Sequence, residues 1–305
     1  MCVRLDPEQR EVIAAARIGM LAIAGRLPLV NPAAFHFGGG ALWMTTSRHA
    51  AKLALARRDP RAAFLAQPAG RSSHGVLLQG MLEAYDPRSP SSQLRALALG
   101  PRLALSLAGY TLKNAAFIGG YVLDLARIPA EWWPHNRVLL RMVPDRVSLV
   151  PPLDAPPAAT ARVPGLPAQV ALRVARQRAG QLCWPVAGRP VLTSAAWTIE
   201  GRDALAWLPA DGPRPAGRGL PGALLIENHH QFRATRMVGC CLRGRLAPDP
   251  GAREALVARY GRELPEGGTA VRLAAARVTW WRGFEVRSRD LERPAEATQA
   301  EAVAR

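Results

Sequence analysis

Lysine is nearly missing from this sequence. Of the 40 basic residues in 305, only Lys52 and Lys113 are Lys and the other 38 are Arg. With Ala, Gly and Pro enriched alongside Arg, the formal charge of +17 reads in part as coding bias. A large positive charge points to nucleic acid when it gathers on one face or in a tail. Here the arginines are scattered along the chain, so nucleic acid is not the expected partner. Cysteine is scarce too: Cys2, Cys183, Cys240 and Cys241 form no CxxC pair. Adjacent strand residues such as Cys240 and Cys241 face opposite ways, which speaks against a zinc site or a disulfide framework and for small buried apolar residues. Long apolar runs are also absent. The richest span, residues 97–125, is interrupted by Arg102, Lys113 and Asp124, so no transmembrane segment is expected. Residues 1–10 (MCVRLDPEQR) lead into a capped helix rather than a signal peptide, and the expected location is cytoplasmic. No Ser-His-Asp order, paired-carboxylate motif or P-loop occurs.

What is present is enough apolar material, 49% against 21% charged, for one large or two ordinary globular domains. Asp6-Pro7-Glu8-Gln9 has the form of a capping box and opens a helix over 7–16. Strands are expected at 18–24, 29–37 and 41–46, separated by Gly25-Arg26 and Gly38-Gly39-Gly40. A helix over 50–57 ends at Asp59-Pro60, and strands over 62–66 and 76–84 follow. Residues 91–130 turn Leu- and Ala-rich and read as an inserted helical hairpin before a strand at 137–150. Short antiparallel strands with glycine turns favour a barrel. Residues 151–167, rich in Pro and Ala, read as a linker. The pattern then returns: PLVNPAAF at 28–35 recurs as PVLTSAAW at 190–197, and GVLLQGML at 75–82 as GCCLRGRL at 239–246. Even the lead-in helix recurs, at 168–177. Offsets of this size mean a domain duplication rather than a repeat array. The second domain is expected over 168–287, with a polar tail over 288–305.

Chemistry gathers at 43–61. Thr45, Thr46 and Ser47 end a strand, and a helix carrying Lys52 starts just after. Hydroxyls, helix N-terminal amides and a compact ammonium together suit a phosphate monoester; Arg48 points the same way. His36 fits a proton donor or a core histidine equally. His229-His230 lacks a third ligand at metal spacing, and Trp132-Trp133 and Trp280-Trp281 read as packing or interface residues.

Gly25-Arg26-Leu27-Pro28, the strand to Phe35, Gly40 to Thr46, Lys52 and Arg58-Asp59-Pro60-Arg61 together resemble the pyridoxamine 5'-phosphate oxidase-like, FMN-binding split-barrel superfamily. The resemblance implies a mainly β fold with helices (α+β), two tandem split β-barrels forming an intramolecular pseudo-dimer, and a flavin between them. It implies FMN, alternatively a deazaflavin or less readily haem, acting on a small-molecule redox substrate. By it Met44 and Thr45 line the ribityl chain, Lys52 contacts the phosphate, and the strand from Val30 to Phe35, with Asn31 and His36, flanks the ring. Asn31 stands where classical oxidases of the family have Arg, His36 where they have Lys, Ala51 where they have Arg, and His74-Gly75 where they have Arg-Gln. These departures argue against vitamin B6 oxidation. In the second copy, residues 209–221 replace the hydroxyl-helix-lysine unit, so one cofactor site is expected, with Arg233, Arg236 or Trp197 as candidate wall residues. The alternative is a non-catalytic cofactor- or haem-binding split barrel.

Overall fold

The asparagine-free, Asp-capped start at residue 6 does what its spacing predicts: α1 (Pro7–Ala15) begins with Gln9 N donating to Asp6 Oδ1 at 2.8 Å and Asp6 N donating to Gln9 Oε1 at 3.2 Å. The computed structural model describes residues 3–68, 74–153, 158–228, 233–261, 264 and 267–291. Cys2 and the His229-His230 pair lie outside these residues.

Six strands follow α1: β1 (Ile18–Ile23), β2 (Leu29–Gly38), β3 (Ala41–Ser47), β4 (Arg61–Ala66), β5 (Gly75–Tyr85) and β6 (Arg137–Val150). They close into an antiparallel barrel in the order β1-β2-β3-β6-β5-β4. Helix α2 (Ala51–Arg58) joins β3 to β4. The insert between β5 and β6 holds three helices rather than a hairpin: α3 (Pro90–Leu99), α4 (Pro101–Lys113) and α5 (Ala115–Leu123). Gly100, at φ 53°, followed by Pro101 ends α3, and Asn114 separates α4 from α5.

The second unit repeats this plan. After α6 (Ala168–Val174) come β7 (Ala179–Val186), β8 (Arg189–Glu200), β9 (Asp203–Leu208), β10 (Leu220–Asn228) and β11 (Val238–Pro248). Then α7 (Ala252–Tyr260) leads to β12 (Thr269–Arg282). Their closed order, β7-β8-β9-β12-β11-β10, matches the first barrel strand for strand. The irregularities are copied as well. The β5–β6 ladder shifts register at Gln79/Gly80 and the β11–β12 ladder at Arg243/Gly244, positions 164 residues apart, as in the sequence repeat. A tandem duplication accounts for both the order and the paired bulges. The last strand, β13 (Glu285–Asp290), pairs with β12 as an exposed edge, so residues 288–290 belong to the sheet rather than to a polar tail.

One hydrophobic core spans both barrels, and the first barrel has a second of its own. Along β1, Leu21 and Ile23 point into the first barrel beside Phe35 and Phe64, while Ile18, Met20 and Ala22 pack with Trp184 and Leu224 of the second. Both faces of this strand are therefore apolar. Cys240 and Cys241 are likewise both buried, with burial raising their thiols' pKa. They serve as packing residues, as expected. Polar contacts rim the interface: Arg61 donates to Gly188 O at 2.7 Å, Gln79 to Pro190 O at 2.7 Å, and Arg189 to Asp145 at 2.6 Å. Within the Pro/Ala-rich connection, Ala161 and Val163 are buried in the shared core, and Ala159 exchanges hydrogen bonds with Arg259. Ala159, Ala161 and Val163 of this segment are thus packed against the second barrel.

Candidate functional site

Where β2, β3 and the start of α2 face the second barrel, a cavity of about 630 Å³ opens. Thr45 and Thr46 line it from the end of β3. Thr46 is 1% exposed, and its hydroxyl has no hydrogen-bond partner. Helix α2 starts at the cavity wall, and its N-cap is Ala50, which has no side-chain oxygen to satisfy the first-turn amides. Lys52, in that first turn, lines the same wall. Burial and the nearby Arg137 guanidinium push its pKa down to about 8. Arg137, the first residue of β6, also lines the cavity and donates to Thr45 Oγ1 at 2.5 Å; that oxygen lies 3.2 Å from the Tyr110 hydroxyl. Among the described residues, neither Lys52 nor Arg137 has a carboxylate within ion-pair distance. Two cations, a buried unsatisfied hydroxyl and an uncapped helix N-terminus thus converge on one space. Groups of this kind can hold an anion.

The second barrel closes the cavity. Trp281 and Thr279 of β12, Phe284 in the β12–β13 turn and Arg243 of β11 line it, while Trp132 from the insert packs at a tilt against Phe284, 5.3 Å between centroids. Arg243 donates to Thr279 Oγ1 at 2.9 Å and leaves its Nε unsatisfied.

Of the cofactor-site residues proposed from sequence, Asn31, Thr45, Thr46 and Lys52 line this cavity, and His36, Met44, Ser47 and Arg48 do not. Met44 is fully buried inside the first barrel with Phe35 and Leu140. Ser47 donates to Glu131 O at 2.5 Å, and Arg48 pairs with Asp86, so both residues tie down the insert. His36 lies under α4, close enough that a Cβ on Gly109 would stand 2.4 Å from its Nε2. Burial and Lys113 lower its pKa. The proposed second-barrel wall also differs. Arg233 pairs with Asp124 at 2.8 Å, Arg236 does not reach the cavity, and Trp197 is buried in the second barrel with the Arg259 guanidinium 3.8 Å from its ring centroid.

The equivalent place in the second copy is filled. Phe35 pairs with Met44 and Trp197 with Ala206, so Thr45 and Thr46 correspond to Trp207 and Leu208, both buried. Residues 209–219 form no helix there. Among the described residues, no cluster of His, Cys, Asp and Glu is placed to hold a metal, and no helix is long and apolar enough to cross a membrane.

No protein-family model and no curated protein matches this chain. Solved structures similar to it include a putative pyridoxamine 5'-phosphate oxidase from Listeria innocua, at 15% identity over 47% of this chain and 98% of that one, TM-score 0.31. A pyridoxamine 5'-phosphate oxidase-related, FMN-binding protein from Nostoc punctiforme is 19% identical over 47% of this chain and 78% of that one, TM-score 0.34. An FAD-binding protein from Mesorhizobium loti is 21% identical over 49% and 97%, TM-score 0.31.

Proposed function

We propose that the inter-barrel cavity binds FMN and that the chain is an FMN-dependent oxidoreductase for a small-molecule redox substrate. The observation that carries this reading is the anion cradle: at one cavity Lys52 and Arg137 have no carboxylate partner among the described residues, the Thr46 hydroxyl has no hydrogen-bond partner, and the N-cap of α2 supplies no side-chain oxygen. A phosphate monoester supplies acceptors for these groups. The residues also fit the rest of the group, because Trp281, Phe284 and Trp132 offer flat apolar faces and the cavity falls within the range of about 300–1,000 Å³ typical of cofactor sites. A bound flavin would supply the hydride or electron transfer, and the protein its placement and shielding from water. Lys52, Thr46 and the α2 amides would anchor the phosphate, Arg137 would add positive field behind it, and the β12–β13 turn would cover the ring. A phosphorylated deazaflavin fits the same cradle. The chain would work as a pseudo-dimer, both barrels being needed to complete one site.

The test is the absorption spectrum of the purified protein, with mass spectrometry of what it releases on denaturation and a titration with FMN. A flavin or deazaflavin at one per chain is expected. A haem band, or a colourless protein that FMN does not titrate, overturns the reading.

A further inference from the structure

A second cavity, about 870 Å³ in volume, lies between the insert and the first barrel. Val138 and Leu139 of β6 form its floor, and Ala96, Leu97, Leu103 and Leu107 of α3 and α4 its sides. Leu97 is 74% exposed and Leu107 38% exposed; both stand on the rim of a groove that no other described residue covers. At its inner end the groove reaches Thr45 and Arg137, the same two residues that bound the inter-barrel cavity. Arg137 has no carboxylate partner among the described residues. Asp86, which also lines the groove, is already engaged by Arg48 and, at 3.7 Å, by Arg57. The groove is thus apolar along its length, with one uncompensated cation at the end that meets the candidate cofactor site.

We propose that this groove holds the hydrocarbon portion of an amphiphilic substrate whose carboxylate or carbonyl end reaches Arg137. The proposal rests on the cofactor reading above and names its substrate class. It follows from continuity and charge: apolar walls favour a hydrocarbon, and Arg137 favours a hydrogen-bond-accepting end. Thr45 and Arg137 place that end beside the flavin cavity.

Calorimetric titration of the full chain with decanoate and with decyltrimethylammonium, alongside FMN, tests it. Decanoate is expected to bind at least about tenfold more tightly than the cationic probe. Ala104 lines the groove and is exposed, so Ala104→Trp should fold; it should weaken decanoate by at least about tenfold and leave FMN affinity within about twofold. Ala96→Phe, from the opposite wall, repeats the test should Ala104→Trp fail to fold. Lys52→Met should do the reverse, weakening FMN and sparing decanoate. No binding of decanoate, equal binding of the two probes, or no effect of either groove variant overturns the proposal. So does a dimer that forms without decanoate binding and is broken by Ala104→Trp, because the groove is then an interface between copies. A chain that takes FMN but not decanoate overturns the groove alone, and one that takes decanoate but not FMN overturns the cofactor reading alone.

Discussion

Arg137 donates to Thr45 Oγ1 at 2.5 Å across the β3–β6 ladder, and this pair is the partition between the two cavities. Holding the guanidinium there has a consequence for Lys52. Two cations share one wall without a carboxylate, which is one of the two reasons that the ammonium of Lys52 is disfavoured in the empty site. The arrangement is costly when empty and is relieved by an anion.

Lys52→Met and Thr46→Val separate binding from stability. Removing the lysine should weaken FMN by about 1.5–3 kcal/mol, the usual worth of a charged hydrogen bond. Thr46→Val should weaken FMN by about 1 kcal/mol, yet raise the melting temperature of the empty protein, because it replaces a buried hydroxyl that has no partner. A Thr46→Val protein that is less stable when empty would remove Thr46 from the cradle.

The depressed lysine predicts a pH dependence. Lys52 and Lys113 are both pushed down to about 8 in the folded chain, Lys52 first by burial and then by Arg137, Lys113 by burial. Between about pH 8 and the unfolded value near 10.4 the unfolded chain binds more protons than the folded one, so stability of the empty protein should rise with pH across that window. FMN affinity should move the opposite way, falling above about pH 8 as Lys52 loses its proton. Lys52→Met should flatten the affinity profile, and Lys113→Met should not. Titrating FMN at stepped pH with both variants checks the sign.

The first barrel was legible because its local signals agree: the Asp6–Gln9 capping box, glycine turns between short strands, and the hydroxyls before α2. Duplication was legible from the recurrent segments. Arg137 was not, because nothing distinguishes one arginine among 38, and it reaches Thr45 only when β6 closes the barrel between β3 and β5. Trp281 and Phe284 come to the site through contact between barrels, which no local pattern encodes. Met44 was not separable from Thr45 in the sequence: it packs in the first barrel's core with Phe35 and Leu140, whereas Thr45 lines the cavity. Strand β13 was missed because all six of its residues are exposed, leaving no alternation to read.

The paired bulges give a stability prediction. A Cβ on Gly80 would stand 2.2 Å from Val143 O, and one on Gly244 2.0 Å from Ala274 O. Both clashes are with ladder backbone, which cannot move without breaking strand pairing. Gly80→Ala and Gly244→Ala should each destabilise by about 1–3 kcal/mol or more, seen as a lower urea midpoint. Two similar losses are expected because the two positions do the same job in the two copies.

The filled second site predicts the stoichiometry. Duplication alone would give two flavins per chain, one for each copy of the β2–β3–α2 unit. In the second copy Trp207 and Leu208 occupy the places of Thr45 and Thr46, and no helix follows β9. A phosphate there would meet an indole and an isobutyl group instead of hydroxyls, amides and an ammonium, with nothing to offset its desolvation. Saturation should therefore end at one FMN per chain, and Lys52→Met combined with Thr46→Val should abolish that single event rather than half of two. Trp207→Thr with Leu208→Thr should not create a second site, because the two substitutions restore the hydroxyls but not the helix N-terminus or a cation. Equilibrium dialysis of the wild type and both double variants measures each outcome, and two equivalent flavins in the wild type would show that the second copy binds by a route other than the cradle.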